Sequence, residues 1–166
     1  EGDVLKYAKE LQSLLGGKRV VISRNNETYK TLELIIDGIK IDIASAREEK
    51  YIKAGENPKV KSTTINKDLI RRDFSINAIA FDLKEEKLID LHFGLDAINN
   101  KKINFLHCSS VSEDPSRIIR AARYSARLNF KLSLKSINQI KSTIDSWPWD
   151  WHIGDEPILA PPALSS

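Results

Sequence analysis

The sequence predicts an α+β fold, and three stretches carry that prediction: a capped apolar helix at the start, a strictly alternating pair of strands around Asp37-Gly38, and an arginine-studded helix opening at Pro115. The chain is long enough for one domain with a real core, or for one domain and part of another. Hydrophobic residues make up 41% and charged residues 30% of it, which argues against intrinsic disorder. The net charge of +3 is too small to establish a nucleic-acid partner by itself, so the clustering of charge matters more than its sum.

Some functions are excluded at this level. A single cysteine, Cys108, rules out an intramolecular disulfide and a multi-thiolate zinc site, and it fits a reducing, cytoplasmic compartment. No apolar run approaches the ~18 residues of a membrane span, and Glu-Gly-Asp is not the start of a signal peptide. With no methionine in the chain, an internal piece of a longer protein is expected.

Taken in order, Asp3 is placed to cap a helix whose apolar face holds Val4, Leu5, Ala8, Leu11, Leu14 and Leu15, and which ends at Gly16-Gly17. Lys18 to Ser23 reads as a strand and Asn25-Asn26 as a turn. Thr31 to Ala44 is a hairpin, because Asp37-Gly38 is a favoured two-residue turn between alternating runs. That register sets Leu32, Leu34 and Ile36 against Ile43, Ile41 and Ile39, and on the other face pairs Glu33 with Asp42. Two carboxylates across an antiparallel pair repel. Either Lys40, Lys30 or water relieves them, or Asp42 is one carboxylate of a magnesium site, a metal that prefers oxygen ligands and substrate phosphates.

Arg47 to Asn66 is charged, lacks periodicity and holds Gly55 and Pro58, so it reads as a loop or lid. A helical segment is expected from Thr64 or Asn66 on through Asp82, with Leu69, Ile70, Phe74, Ile76, Ile79 and Ala80 in the core. Arg71, Arg72, Asp73 and Asn77 lie among these apolar neighbours, and polar groups in such company need partners or a task. Asp73 is open to two readings: it orients the arginines toward phosphates or accepts a ribose hydroxyl, or it belongs to a structural salt-bridge network. Phe81 to Asp90 reads as a hairpin around Lys84-Glu85-Glu86, Leu95 to Asn99 as a short helical turn, and Lys102 to Leu106 as a strand. His92, with no His or Cys at ligand spacing, reads as a hydrogen-bonded loop residue.

Pro115 suits the first turn of the next helix, and Ser112 or Asp114 can accept its free amides. Arg117, Arg120, Arg123 and Arg127 follow at steps of three, three and four, which places them on one face. Ile118, Ile119, Ala122 and Ala126 are expected to line the buried remainder. Like charges on one face repel unless carboxylates or an anionic ligand answer them, and a guanidinium fork matches phosphate oxygens or a base edge. A last helix is expected over Ser136 to Ile144. Beyond it the Trp147, Trp149 and Trp151 stretch, rich in proline, reads as a surface for a following domain.

R-R-D-F-S-I-N-A-I-A-F-D at Arg71 to Asp82 resembles the R-R-D-F-T-I-N-A-x-A motif of the bacterial tRNA nucleotidyltransferase and poly(A) polymerase family, the class II CCA-adding enzymes. D-L-H-F-G-L-D-A-I at Asp90 to Ile98 and E-D-P-S-R-I-I-R-A-A-R at Glu113 to Arg123 match in the same order. The resemblance implies a partial polymerase-beta-like nucleotidyltransferase head over 1–106, nucleotide-recognising neck helices over 107–145, and a tail over 146–166 leading to a further domain. It implies addition of CCA, CC or A to tRNA 3′ ends from CTP and ATP with Mg2+. Poly(A) polymerase activity, or a non-catalytic module that binds RNA or nucleotide, is the alternative.

By the same resemblance Arg72 contacts the triphosphate, with Asp73 near the ribose. Asp114 and Arg117 present a template to the base edge, and Arg120 and Arg123 hold the phosphates or the template. Asp42 matches an acidic position that follows the family's metal-binding pair. The glycine-rich segment and the Asp-x-Asp pair with which such enzymes begin are not in this sequence. These residues alone are therefore expected to add no nucleotide.

Overall fold

The computed structural model describes residues 2–146 and the backbone of two short strands beyond them. The fold is α+β, and the chain divides into two compact units: Glu1–Glu48 with Val60–Asp68, and Glu49–Lys59 with the described residues from Leu69 onward.

In the first unit, α1 (Val4–Leu15) begins where the Asp3 carboxylate accepts the amides of Leu5 and Lys6 at 2.9 and 3.3 Å. It ends on Gly16, whose φ of 92° few side-chain-bearing residues tolerate. Three antiparallel strands follow in the spatial order β1 (Val20–Asn26), β2 (Thr31–Ile36) and β3 (Ile39–Ala44). The β2–β3 register is the expected one, pairing Leu32 with Ile43, Leu34 with Ile41 and Glu33 with Asp42. Its turn holds Asp37 at φ 49° and Gly38 at φ 85°, the left-handed pair that matches strand twist. Val4 and Ala8 of α1 pack on Val20, Leu32 and Leu34 to form this unit's core.

Three expectations are corrected here. Leu14 and Leu15 are 80% and 39% exposed, because the buried stripe of α1 is the narrower one through Val4 and Ala8. Asn25 and Asn26 belong to β1, and the turn falls after them, where Asn26 Oδ1 accepts the Tyr29 amide at 3.0 Å. The stretch from Arg47 is not all loop, since it contains β4 (Arg47–Lys50) and β5 (Lys59–Ser62).

The chain passes between its units within β4, near Lys59 and within α2 (Ile65–Ile70). The helix expected to run on to Asp82 stops at Ile70. Asp73 Oδ1 takes the Phe74 amide at 2.8 Å, and Phe74, extended at φ −132°, bridges to Phe105. A side chain that captures a backbone amide competes with the helix ladder. A single 3-10 turn at Ser75–Asn77 follows.

In this second unit β6 (Ala80–Asp82) and β7 (Lys87–Ile89) form the expected hairpin. Asp90 then caps α3 (Gly94–Asn99), its two oxygens accepting the Gly94 and Leu95 amides at 2.7 and 2.9 Å. A Cβ on Gly94 would lie 2.4 Å from the Ser75 carbonyl oxygen, so only glycine lets α3 sit against the 3-10 turn. His92 lies in the turn before α3, as expected of a loop residue, and its backbone hydrogen-bonds Asp90, while its Nε2 is buried with no partner among the described residues.

β8 (Lys102–Ile103) runs parallel to β9 (Lys131–Leu132), and α4 (Ser110–Glu113), α5 (Ser116–Leu128) and α6 (Leu134–Ser146) complete the unit. The core is Phe74, Ile103, Phe105, Val111 and Ala121, with the Phe74 ring 5.5 Å from Phe105 and 5.4 Å edge-on from Tyr124. Ser136 is buried but satisfied, its hydroxyl joining the Ile103 carbonyl and the Phe105 amide, each at 3.2 Å.

The last strands, β10 (His152–Ile153) and β11 (Glu156–Pro157), pair antiparallel. The tryptophan-rich stretch lies outside the described residues.

Candidate functional site

The α5 helix keeps Arg120, Arg123 and Arg127 exposed and Ile118 against the core, as expected, but departs from the expected pattern elsewhere. Arg117, which should have stood in the exposed stripe, is 4% exposed, whereas Ile119 is 64% exposed and Ala122 and Ala126 are also at the surface. The helix buries the face carrying Arg117, Ile118, Ala121 and Tyr124. A guanidinium tolerates this only because acceptors are waiting. Arg117 Nη2 donates to the main-chain carbonyl of Arg71 at 2.7 Å, and its Nε is 3.7 Å from Asp114 Oδ2. Nη1 is buried and has no hydrogen-bond partner among the described residues.

Asp114, just ahead of α5, is fixed by its other oxygen. Oδ1 accepts the Ser116 amide at 3.1 Å and the Ser116 hydroxyl at 2.5 Å, a local cap that leaves Oδ2 toward Arg117. One turn on, Arg120 donates from Nε and Nη2 to Asp73 Oδ2 at 2.8 and 2.6 Å. Asp73 Oδ1 holds Asn77 Nδ2 at 2.9 Å besides the Phe74 amide, so each of its oxygens accepts two donors. Burial works against the charge on Arg120, but the Asp73 carboxylate more than offsets it and raises the guanidinium pKa. Arg72 Nη1 donates to the Asn77 carbonyl at 3.3 Å.

These side chains line one cleft of about 580 Å³, within the size range of small-molecule sites. Arg71, Arg72, Arg117 and Arg120 face Glu49, Asp73 and Asp114, four guanidiniums against three carboxylates. The cleft therefore carries an excess positive charge and many planar donors, an arrangement suited to an anion and to a polar, planar edge. A hollow of about 620 Å³ in the first unit, bounded by residues such as Asp3, Asn25, Glu27 and Lys30, gathers no arginines.

Of the residues expected from the sequence, Arg72, Asp73, Asp114, Arg117 and Arg120 meet in this cleft. Arg123 does not line it and is exposed farther along α5. Asp42 belongs to the first unit, across β2–β3 from Glu33, whose carboxylate accepts Lys40 Nζ at 3.3 Å and the Ser23 hydroxyl at 2.6 Å. Among the described residues no three carboxylate, histidine or cysteine side chains gather as a metal would need. The residues present do not by themselves fit a magnesium centre.

Sequence reasoning missed Glu49 and Tyr51. Glu49 Oε1 accepts Arg71 Nη1 at 2.9 Å and its Oε2 accepts the Tyr51 hydroxyl at 3.2 Å. Burial raises the Tyr51 pKa, and the neighbouring Glu49 charge adds to the effect, so the phenol stays protonated. The signal was their separation by two, which puts both on one side of an extended chain.

Residues 3–104 match the family described as the poly A polymerase head domain. The A-adding tRNA nucleotidyltransferase of Aquifex aeolicus (strain VF5) is 40% identical over 148 residues, covering 87% of this chain and 18% of the relative. The CC-adding tRNA nucleotidyltransferase of Deinococcus radiodurans is 36% identical over 121 residues, 69% of this chain and 32% of that one. Among solved structures, a tRNA nucleotidyltransferase complexed with a primer tRNA and an incoming ATP analog superposes with a TM-score of 0.71 at 37% identity, over 87% of this chain and 39% of its own. The chain thus spans only a minor part of the length of these relatives. No described helix is long and apolar enough to cross a membrane. With its α+β fold and well over half its residues matched, the chain belongs to the poly A polymerase head-domain family, together with tRNA nucleotidyltransferases.

Proposed function

We propose that this chain supplies the nucleotide-reading part of a template-independent RNA nucleotidyltransferase that adds CCA, CC or A to tRNA 3′ ends from CTP and ATP. The observation that carries the reading is the convergence of Arg72, Asp73, Asp114, Arg117 and Arg120 on one cleft. Asp114 Oδ2 is an acceptor, and Arg117, whose Nη1 is buried without a hydrogen-bond partner among the described residues, lines the same cleft and brings the donor. Cytosine and adenine each offer an exocyclic amino donor beside a ring-nitrogen acceptor, whereas uracil and guanine offer the reverse order. One acceptor beside one donor thus reads C and A alike.

Arg72 is assigned to the triphosphate and Asp73 to the neighbourhood of the ribose, with Arg120 braced by Asp73 to hold phosphate or template. Arg123, outside the cleft, is assigned a supporting contact with phosphate. Magnesium is proposed to accompany the triphosphate, but the described residues gather no site for it and no step is assigned to it. Asp42, a lone carboxylate of the first unit, is assigned no step. A cytoplasmic setting belongs to the same proposal, in keeping with the lone exposed thiol of Cys108.

Calorimetric titration of the chain with CTP, ATP, UTP and GTP tests the reading. CTP and ATP are expected to bind more tightly than UTP and GTP. Arg117→Ala should weaken the preferred pair by about 1.5–3 kcal/mol, roughly tenfold to a hundredfold. Equal affinities for CTP and UTP, or identical curves for wild type and variant, count against it. Binding of ATP with CTP rejected would turn the reading toward A-addition or polyadenylation.

A further inference from the structure

Glu49 and Tyr51 sit on the wall of the cleft beside Arg71, outside the three sequence motifs given above. The Glu49 side chain is 8% exposed, and that of its partner Arg71 is 17% exposed. A buried carboxylate opposite one guanidinium would already be neutralised. Here the second oxygen is also fixed, by the Tyr51 hydroxyl at 3.2 Å. With both oxygens engaged the carboxylate has one orientation, and Arg71 is held against it at 2.9 Å. The carbonyl of this same Arg71 accepts Arg117 Nη2 at 2.7 Å. A continuous line of contacts therefore runs from the phenol, through carboxylate and arginine, to the guanidinium beside Asp114.

We propose that Glu49 and Tyr51 are positioning residues for base discrimination, which set the tilt of the Arg117 fork against the Asp114 carboxylate by fixing the Arg71 backbone. The proposal rests on the base-reading role of Asp114 and Arg117 given above. A fork selects between donor and acceptor patterns only if its plane is held to within roughly 10–20°. Arg117 Nη1, buried and without a partner among the described residues, is the donor whose direction is at stake. Burial raises the Tyr51 pKa, so the phenol keeps the proton that it donates to Glu49. The competing explanation is a plain structural ion pair, which would affect folding and every ligand equally.

Titration of the full chain with CTP, UTP and inorganic tripolyphosphate, with melting temperature recorded, separates the two. Tyr51→Phe removes one hydroxyl oxygen and preserves the ring packing. It is expected to hold tripolyphosphate affinity within about twofold while the CTP-to-UTP affinity ratio falls about tenfold, the equivalent of 1.4 kcal/mol. Glu49→Gln should lower the ratio further. In an Arg117→Ala background neither change should move it, since the group through which they act is gone. A ratio unchanged in Tyr51→Phe, or equal losses for tripolyphosphate and CTP, overturns the proposal in favour of the structural ion pair. A wild-type chain that binds CTP and UTP equally refutes the base-reading role itself, and this proposal with it.

Discussion

Asp73 joins four donors, and substituting it tests which of them the second unit depends on. Asp73→Ala removes the bonds from the Phe74 amide and Asn77 on Oδ1 and both bonds from Arg120 on Oδ2. These are unequal. Phe74 is fully buried, and leaving a buried amide without an acceptor costs about 1–3 kcal/mol, with the Asn77 bond adding about 0.5–1.5. The Arg120 side chain is 48% exposed, so water replaces the lost carboxylate and the ion pair is worth only about 0.2–1 kcal/mol. Asp73→Ala is therefore expected to cost about 2–5 kcal/mol. Arg120→Ala, which opens the cleft and lets water reach Oδ2, should cost about 1 kcal/mol or less. Urea unfolding followed by circular dichroism measures both, and faster hydrogen exchange at the Phe74 amide in Asp73→Ala alone locates the loss. Equal costs for the two variants would refute the reasoning, because the exposed pair, and not the local amide, would then carry the stability.

Gly94→Ala should destabilise by at least about 1–3 kcal/mol through overpacking, because the added Cβ meets the backbone oxygen of Ser75 and the Ile79 side chain at 2.4 and 2.5 Å; a thermal melt unchanged from wild type would contradict the close approach of α3. His107 is held below its ordinary value of 6.5 by burial, against the pull of Glu113. In the window below 6.5 the unfolded chain binds the extra proton, so stability rises with pH there and falls on acidification. His107→Gln should flatten the urea midpoint between neutral pH and that window, and a slope as steep as wild type's would exclude His107 as its source. Gly38→Ala, at φ 85° in the β2–β3 turn, should cost about 1–2 kcal/mol, read as a lower melting temperature without loss of nucleotide affinity.

Where local chemistry and tertiary contact agree, the fold was legible. The β2–β3 register followed from alternation and from Asp37-Gly38 because a two-residue turn leaves no freedom to slip. The helix expected past Ile70 failed because helical spacing of Leu69, Ile70, Phe74 and Ile76 says nothing about a distant partner, and Phe74 is drawn into extended geometry by Phe105. Arg117 was misplaced to the surface for the same reason, since the carbonyl that makes its burial tolerable lies 46 residues earlier. In the cleft, the residues carried by the two arginine motifs were foreseen. Glu49 and Tyr51 were not, because their pairing with Arg71 is a contact across 22 residues that neither stretch announces.

The acceptor that receives Arg117 is a peptide oxygen, not a side chain. Any amino acid at position 71 brings that oxygen with it, so mutation at this position can tune how firmly the backbone is held but cannot delete the anchor outright. The recognition wall is thus insured against the commonest kind of genetic damage at one of its two ends, while the end at position 117 has no such protection.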